Sequence, residues 1–243
     1  MNEPVEQAAF LGSIAEKLGR KRRTAVSPPS WDRKPWEDSG QELNPEAEAG
    51  GRQAAEREQL IRQFMEQLSA LNAAVNRVSR ADFGRVLSDV IAKNGVRSAI
   101  SWDDGRLHEL QLESTLNRNG IHHRLWRTME NERELRTFAE SADMGITFAE
   151  MGLADTGTVL LMNGGGRGRL ISLLPPVYVA VLPERFIYPR LSDGMSFVRS
   201  RIPEGLPACI NFITGPSRTG DIEADLALGV HGPGKVHIIL LQD

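Results

Sequence analysis

A short polar segment near the C-terminus holds the residues best suited to bind an anion. An apolar run at residues 210–214 leads into the sequence GPSRTG, which offers the hydroxyls of Ser217 and Thr219 and the guanidinium of Arg218. Arginine binds carboxylates and phosphates through paired hydrogen bonds, and the open N–H groups of a helix start favour the same anions. The acids that follow are typical of a first helical turn. The predicted ligand-binding residues here are Gly215, Ser217, Arg218, Thr219, Asp221 and Glu223.

A histidine follows in the next glycine-rich loop, GVHGPG, at residues 229–234. Because imidazole acts as acid, base or orienting group near neutral pH, His231 is a candidate catalytic residue. The alternative is a turn histidine that bonds only to backbone. A metal site formed by His231 with Asp221 and Glu223 is disfavoured, because no HExxH motif accompanies these residues.

A second polar group lies between two apolar runs in the middle of the chain. Glu150 follows one run, and Asp155, Thr156, Gly157 and Thr158 form a polar turn before the next. A carboxylate beside hydroxyls is able to act as acid, base or nucleophile. Glu150 and Asp155 are therefore candidate catalytic residues, and the three residues after Asp155 are candidate ligand-binding residues. Asp, Thr and Gly are also common turn formers, and that structural role is the alternative.

Four glycines interleaved with two arginines occupy residues 164–169. Successive backbone N–H groups in such a loop are able to bind a phosphate. The sequence lacks the GxxxxGK[ST] motif, and an apolar run typical of a strand follows at 170–174, so the helix that a nucleotide loop requires is missing. A flexible hairpin tip between strands at 159–162 and 170–174 is the favoured interpretation.

The elements that must hold these loops alternate between helices and short apolar strands. Helices between strands require crossover connections, which favour a mainly parallel sheet in a three-layer α/β/α domain. Ligands of such sheets bind beyond the carboxyl ends of the strands. The predicted helices cover residues 6–18, 52–78, 81–93, 107–119, 130–141 and 186–201, and the predicted strands cover 97–102, 121–125, 145–148, 158–162, 170–174, 177–182, 208–214 and 235–241.

The N-terminal part differs from the rest. After the first helix, residues 24–51 are rich in proline, lack a hydrophobic period and carry Trp31 and Trp36. These rings either pack on their own domain or bind a partner or a second copy of the chain. The predicted boundaries are a partly flexible helix and extended arm at 1–51 and an α/β domain at 52–243, with a helical lead-in at 52–95 and the core at 96–243.

The composition excludes several classes of protein. The 243 residues hold 29 Lys+Arg against 32 Asp+Glu, so the chain lacks the positive field that attracts nucleic acid or an anionic membrane. The single cysteine, Cys209, is too few for an intramolecular disulfide, an iron–sulfur cluster or a cysteine-type zinc site. No secretory signal or membrane-spanning run is recognisable. We therefore predict a cytoplasmic protein with no membrane insertion, no nucleic-acid partner and no metal site.

Three segments resemble the lactate utilisation protein C family, whose members have the LUD domain. They are DTGT at 155–158, LISLLPPVYVAVLPE at 170–184 and, most specific, GPSRTGDIEADLALGVHGPGKVHIILL at 215–241. The resemblance implies an α/β/α domain similar to the sugar-phosphate isomerase, CoA-transferase and formyltetrahydrofolate cyclo-ligase group. It also implies a part in bacterial oxidation of L-lactate to pyruvate beside partner proteins that carry iron–sulfur clusters. A single cysteine fits that division, because the clusters would then lie in the partners.

Three functional hypotheses remain open at this point. The favoured one is a non-iron–sulfur component of an L-lactate-oxidising system that binds a small anionic or nucleotide-like ligand at the C-terminal loops. The second is a stand-alone enzyme of the CoA-transferase or cyclo-ligase kind, with Glu150 or Asp155 as nucleophile or base. The third is a non-catalytic interaction module whose N-terminal arm binds a partner or forms a homo-oligomer. No cofactor motif is recognisable, so no cofactor is assigned.

Overall fold

The computed structural model describes residues 5–19, 51–127, 131–222 and 225–242. Most of the predicted arm, with Trp31 and Trp36, lies outside these described residues, as does the predicted ligand residue Glu223. The chain divides into two units, Met1–Asp38 and Ser39–Asp243.

In the first unit, the predicted helix at 6–18 is confirmed as α1 (Val5–Lys17). The other described helices belong to the second unit, and none of the described helices is both long and apolar enough to cross a bilayer. These are α2 (Gly51–Ala70), α3 (Phe83–Asn94), α4 (Gly105–Glu109), α5 (Leu112–Arg118), α6 (Glu132–Ser141) and α7 (Leu191–Ser200).

The strands of the second unit form a central sheet, a smaller sheet and a hairpin. They are β1 (Ala74–Val78), β2 (Ser98–Trp102), β3 (His122–Trp126), β4 (Met144–Phe148), β5 (Met151–Leu153), β6 (Thr158–Asn163), β7 (Val177–Pro183), β8 (Ile187–Tyr188), β9 (Cys209–Ile213), β10 (Arg218–Ile222), β11 (Asp225–Leu228) and β12 (Lys235–Leu241).

The central sheet has six strands in the order β1-β12-β7-β4-β2-β3, and every neighbouring pair is parallel. Helices connect β1 to β2, β2 to β3 and β3 to β4, which confirms the predicted α/β fold with a mainly parallel sheet. All seven residues of β7 are buried, as expected where both faces of a parallel sheet are covered. The helix predicted at 81–93 is also confirmed, because α3 ends at Gly95, whose φ of 62° gives a left-handed C-cap.

The smaller sheet has the order β8-β5-β6-β9, and β10 pairs with β11 as a separate antiparallel hairpin. In the smaller sheet, β6 pairs antiparallel with both β5 and β9. The central core runs from Ile61 to Leu241 and includes buried side chains of α2, α3, β2, β4, β7 and β12. Half-buried side chains of β1 and β3 pack against it.

The helix predicted over 52–78 is shorter than expected. α2 ends at Ala70, and Val75 and Val78, the last apolar residues of the predicted range, lie in β1. Asn72, which lies between α2 and β1, has a φ of 63°. Asparagine tolerates this left-handed conformation, which ends a helix. Gln111, with a φ of 53°, likewise divides the helix predicted over 107–119 into α4 and α5.

Two further predictions around prolines were wrong in part. The segment predicted as a strand at 170–174 forms a 3₁₀ turn at Arg169–Ser172. Two prolines, which have no N–H for a sheet ladder, follow at 175 and 176. The helix predicted at 186–201 is limited to α7, because Pro189 separates it from β8.

The helix start predicted after Gly220 was wrong. This part of the chain is the hairpin of β10 and β11, in which Arg218 pairs with Leu228 and Ile222 with Asp225. β-Branched Thr219 and Ile222 favour extended backbone. Among the residues described in this segment, no helix N-terminus supports the predicted anion site.

Candidate functional site

The carboxyl ends of β2 and β4 define a crevice in the central sheet. The two strands are neighbours, but the chain leaves β2 toward β3 on one side and leaves β4 toward β7 on the other. In a parallel sheet, neighbouring strands that connect in opposite directions open a crevice, and ligands of α/β proteins bind there. Residues 103–106 follow β2 and residues 149–150 follow β4, so both loops begin at this crevice.

Asp104 and Arg106 form a fixed unit at the start of α4. Asp104 is the N-cap of this helix, and its Oδ1 accepts hydrogen bonds from the backbone N–H of Arg106 at 3.0 Å and from Nε of the same residue at 2.9 Å. Its Oδ2 accepts from Nη2 of Arg106 at 2.8 Å. An N-cap aspartate satisfies an open N–H of the first turn, which explains why the chain folds this way locally.

Arg106 also bonds to Glu150, across the crevice. Its Nη1 donates to Oε2 at 3.0 Å and its Nη2 donates to Oε1 at 2.8 Å. The guanidinium lies over the ring of Phe148, with Cζ 4.3 Å from the ring centroid. The backbone N–H of Glu150 donates to the carbonyl of Leu160 at 2.9 Å, which fixes the start of its side chain. Paired charge-assisted bonds of this kind are the strong class of ion pair.

A second arginine reaches the same two carboxylates from the segment after β6. Nε of Arg167 lies 3.0 Å from Oδ2 of Asp104, and its Nη1 lies 3.0 Å from Oε1 of Glu150. Two guanidiniums and two carboxylates therefore alternate in one group. We call Asp104, Arg106, Glu150 and Arg167 the arginine–carboxylate cluster.

Arg167 belongs to the glycine turn, residues 163–168. Gly164 and Arg167 exchange backbone hydrogen bonds of 3.2 and 3.1 Å, and Nδ2 of Asn163 donates to the carbonyl of Arg167 at 3.2 Å. Nδ2 of Asn211 in turn donates to Oδ1 of Asn163 at 2.8 Å, which orients that amide. The turn predicted here is present, although a 3₁₀ turn follows it in place of the predicted strand.

The glycine turn is tied to the carboxyl end of β2. The carbonyl of Gly166 accepts from the N–H of Asp103 at 3.0 Å, and the carbonyl of Gly168 accepts from Nε1 of Trp102 at 2.9 Å. A Cβ at Gly168 would overlap the indole of Trp126, so only glycine fits there. The turn holds the backbone of Arg167 in place beside the crevice.

The charges of the cluster support one another. Burial works to raise the pKa of Asp104, but the hydrogen bonds and charge of Arg106, with the charge of Arg167, hold that pKa below its usual value. Burial works to lower the pKa of Arg106, and its bonds to Asp104 and Glu150 outweigh this and raise it above its usual value. Both groups are thus charged at neutral pH, and the formal charges of the four side chains cancel.

A cavity of about 380 Å³ opens beside the cluster, a volume typical of small-molecule sites. Two members of the cluster, Glu150 and Arg167, line it together with Arg201, so an entering ligand meets one carboxylate and two guanidiniums. The full lining is Glu150, Met162, Asn163, Gly164, Arg167, Arg201, Gly205 and Pro207. The chemistry that this lining supports best is the binding of a small anion. Within the described ranges, no three His, Cys, Asp or Glu residues are grouped to hold a metal ion.

The predicted turn at 155–158 lies at the other end of β5 from Glu150. Its hydroxyls bond to one another and to the end of β9: Oγ1 of Thr158 lies 2.7 Å from Oγ1 of Thr156 and 2.7 Å from Oγ1 of Thr214. Asp155 is exposed, and its N–H donates to the carbonyl of Pro189 at 3.1 Å. The structure therefore separates Glu150 from the other residues of its predicted group.

Three predicted ligand residues surround the C-terminal end of α2. A Cβ at Gly157 would lie 2.9 Å from the backbone N of Leu68, and a Cβ at Gly215 would lie 2.9 Å from Cβ of Leu71. Nη2 of Arg218 donates to the carbonyl of Leu71 at 2.7 Å, which satisfies an open carbonyl at the helix end. These contacts give the two glycines and the arginine a packing role.

Ser217 lies against the loop that carries His231. The N–H of Ser217 donates to the carbonyl of Pro233, and its carbonyl accepts from the N–H of Gly229, both at 2.9 Å. His231 is exposed. Thr219 and Asp221 lie in β10.

These C-terminal loops are at the opposite edge of the central sheet from the cluster. They adjoin the segments that lead into β1 and β12, which is the amino edge of the sheet, whereas the cluster follows β2 and β4 at the carboxyl edge. Ligand binding by Gly215, Ser217, Arg218, Thr219 and Asp221 stays a prediction, as does catalysis by Asp155 and His231.

Sequence reasoning named Glu150 but missed its partners Asp104 and Arg106, and weighed Arg167 only as part of a phosphate loop. A signal was present, since the polar sequence DDGR directly follows the strand predicted at 97–102. The carboxyl ends of parallel strands share one edge, so this sequence and Glu150 were candidates for one site. Which strands are neighbours depends on the folded topology.

Comparisons with known proteins agree on the family. Residues 61–241 match the sequence profile of the LUD domain. Lactate utilization protein C 1 of Bacillus mycoides is 37% identical over 237 residues, 96% of each chain, and lactate utilization protein C of Halalkalibacterium halodurans has the same identity and coverage. A solved DUF162 family protein from Deinococcus radiodurans shares the fold, with a TM-score of 0.55 at 19% identity over 76% of this chain and 98% of that chain. The chain therefore belongs to the LUD domain family.

Proposed function

We propose that this protein is a cytoplasmic component of a bacterial L-lactate utilisation system and supports the oxidation of L-lactate to pyruvate. The observation that carries the proposal is its similarity, over nearly its whole length, to proteins named lactate utilization protein C in Bacillus mycoides and Halalkalibacterium halodurans. The match covers 96% of each chain, so it includes the whole LUD domain and is not limited to one motif.

The role we propose for this chain is to bind a small anion in the cavity beside the arginine–carboxylate cluster. L-Lactate and pyruvate are both small carboxylates, and a guanidinium is the side chain best matched to a carboxylate. Arg167 lines the cavity, and Arg106 holds Glu150 at its edge. The position of this cavity at the carboxyl edge of the parallel sheet supports the proposal.

Electron transfer belongs, in this proposal, to iron–sulfur partner proteins. Oxidation of lactate to pyruvate releases two electrons and two protons, and a redox centre must accept the electrons. One cysteine is too few to ligate a cluster in this chain. The chain would therefore work beside such partners in a complex and would bind or position the carboxylate.

Growth on L-lactate tests the proposal directly. Deletion of the gene should abolish growth on L-lactate and leave growth on glucose unchanged, and the wild-type gene should restore it. Complementation with Arg167→Gln should fail, while Arg169→Gln, an exposed arginine two residues away and outside the cavity, should restore growth. Normal growth of the deletion strain on L-lactate contradicts the proposed function.

A stand-alone enzyme of the CoA-transferase or cyclo-ligase kind is the second candidate. The observation that favours it is the carboxylate of Glu150, which lines the cavity with 14% of its side chain exposed and is able to serve as a nucleophile or base. Purified protein incubated with acyl-CoA, or with ATP and a folate, should then turn over, and Glu150→Gln should abolish the turnover. An inert wild-type protein excludes this candidate.

The C-terminal loops are the second candidate site for the anion. Arg218→Ala should weaken binding about tenfold or more if Arg218 contacts the ligand, because a bond to a charged group is involved. If Arg218 only bonds to the end of α2, the variant should lower the free energy of unfolding slightly and leave binding unchanged.

A further inference from the structure

The two arginines of the cluster are bound to the carboxylates in different ways. Arg106 donates two bonds to Asp104 through Nε and Nη2 and two to Glu150 through Nη1 and Nη2. Arg167 makes one contact with each, through Nε to Asp104 and through Nη1 to Glu150. Arg106 is thus fixed by paired bonds on two sides, whereas Arg167 is held more weakly.

Arg167, which lines the cavity, has a hydrogen-bond donor that the cluster does not use. Among the described residues, its Nη2 has no hydrogen-bond partner, and 36% of its side chain is exposed. A guanidinium binds a carboxylate best through two parallel N–H groups. The Nη1 and Nη2 pair of Arg167 offers that edge, but Nη1 is engaged by Oε1 of Glu150 at 3.0 Å.

Glu150 therefore occupies part of the place that a ligand carboxylate would take. On this geometry we propose that the cavity binds a small 2-hydroxy or 2-oxo carboxylate on the Nη edge of Arg167, in exchange for Glu150. The ligand class follows from the proposed function, on which this inference rests. Glu150 keeps its two bonds to Arg106 when it releases Arg167, so the exchange leaves no buried carboxylate without a partner.

The surrounding structure suits such an exchange. The glycine turn fixes the backbone of Arg167 through Asn163 and through the bonds of Gly166 and Gly168 to the end of β2. The backbone of Glu150 is held by its bond to Leu160. Only side chains need to move, and the cavity of about 380 Å³ provides the space.

Calorimetric titration of the full-length protein with sodium L-lactate and sodium pyruvate tests the exchange. Arg167→Gln should weaken binding about tenfold or more, since it removes a charge-assisted contact. Glu150→Gln should tighten binding about fivefold, because a neutral amide competes for Arg167 less strongly than a carboxylate. The matched control Arg169→Gln should bind as the wild type does.

Each result decides the point. Thermal unfolding without ligand first establishes that each variant is folded. If Glu150→Gln does not fold, the binding measured with Arg167→Gln tests the exchange. The exchange is wrong if Arg167→Gln binds the carboxylates as tightly as the wild type, or if folded Glu150→Gln binds them no more tightly. It is also wrong if titration with sodium chloride gives the same binding signal as the two carboxylates.

The growth experiment separates this inference from the proposed function. If the gene is needed for growth on L-lactate but neither carboxylate binds the purified chain, the exchange is wrong and the proposed function stands. If the carboxylates bind with the predicted variant effects but growth on L-lactate does not need the gene, the proposed function is wrong and the exchange stands.

Discussion

The arginine–carboxylate cluster shows how a buried charge is made tolerable at the level of single residues. The side chain of Asp104 is only 2% exposed, and an unpaired carboxylate at such a position would be costly. It accepts bonds from the N–H of its own helix and from Arg106, and Arg167 lies beside it. The same contacts place both guanidiniums within reach of Glu150, so one buried aspartate organises the site.

Two histidines on the central sheet, the buried His237 and the half-buried His123, should make stability depend on pH. Burial lowers the pKa of His123 and of His237 to about 4, and Lys93 and Lys235 add to the effect at His237. In the unfolded chain both groups titrate near 6.5. The unfolded chain therefore binds protons that the folded chain does not, so the free energy of unfolding should fall as the pH decreases from about 6.5 toward 4.

Chemical denaturation at a series of pH values from 8 to 4.5 checks this prediction. Each histidine contributes up to about 3 kcal/mol of the loss, and the variant carrying His123→Gln and His237→Gln should lose much less over the same range. Measurements at pH 8 give the cost of the substitutions themselves, which is subtracted. A wild-type protein whose stability does not change between pH 7 and 4.5 would contradict the assignment.

Of the four residues of the cluster, Glu150 was predicted from the sequence as a catalytic residue, and Asp104 and Arg106 were not. Glu150 was recognisable because a charged residue directly after a buried strand must lie at the edge of a sheet. Asp104 and Arg106 have the same property, but their contact with Glu150 depends on the adjacency of β2 and β4, which are separated in the chain by β3. Local residue patterns carry no information on that order.

At the level of elements, the glycine turn is more constrained than its composition indicates. A run of glycines predicts a flexible loop, yet the turn donates or accepts hydrogen bonds at Asn163, Gly166 and Gly168. Gly166 and Gly168 are needed because neighbouring groups approach closely: a Cβ at Gly166 would lie 2.8 Å from the carbonyl oxygen of Asp103, and one at Gly168 would overlap the indole of Trp126. Close packing, and not mobility, explains these residues.

Two alanine substitutions in this turn should behave differently. Gly168→Ala places a methyl group against the indole of Trp126 and should lower the free energy of unfolding by about 1–3 kcal/mol. Gly164→Ala has no atom within 4 Å of the added Cβ, and its effect should stay within about 0.5 kcal/mol. Thermal and urea unfolding of both variants measure the difference, and equal stabilities would show that the turn is looser than described.

Helices and strands were predicted best where the pattern of apolar residues fits only one type of secondary structure. The strand at 177–182 was recognisable because β7 is a buried apolar run that follows two prolines and precedes the charged pair Glu184 and Arg185. The apolar spacing from Leu60 to Val78 fits one helix face. The chain turns at Asn72, however, and the last apolar residues of this pattern lie in β1, where they pack equally well. Short apolar runs fit a helix or a strand equally well, so tertiary contacts decide between them.

At the level of the whole molecule, the two groups of candidate site residues lie at opposite ends of the strands of the central sheet. The sequence drew attention to the loops after β9, which end at the amino edge around α2 and β12. The cluster and its cavity lie at the carboxyl edge, after β2 and β4. A parallel sheet directs all its strand ends the same way, so its topology favours the second set as the ligand site.

The N-terminal unit is expected to serve association and not the folding of the LUD domain. The buried core begins at Ile61, so a chain of residues 39–243 should retain cooperative unfolding with a midpoint within a few degrees of the full-length value. Trp31 and Trp36 belong to a residue type that is enriched at interfaces. If the arm forms a homo-oligomer, the shortened chain should have a lower mass by light scattering than the full-length protein. If the arm binds iron–sulfur proteins, the shortened chain should contain less iron after affinity purification. Full-length Trp31→Ala/Trp36→Ala is the matched variant, and unchanged association in both proteins would exclude the arm as an interface.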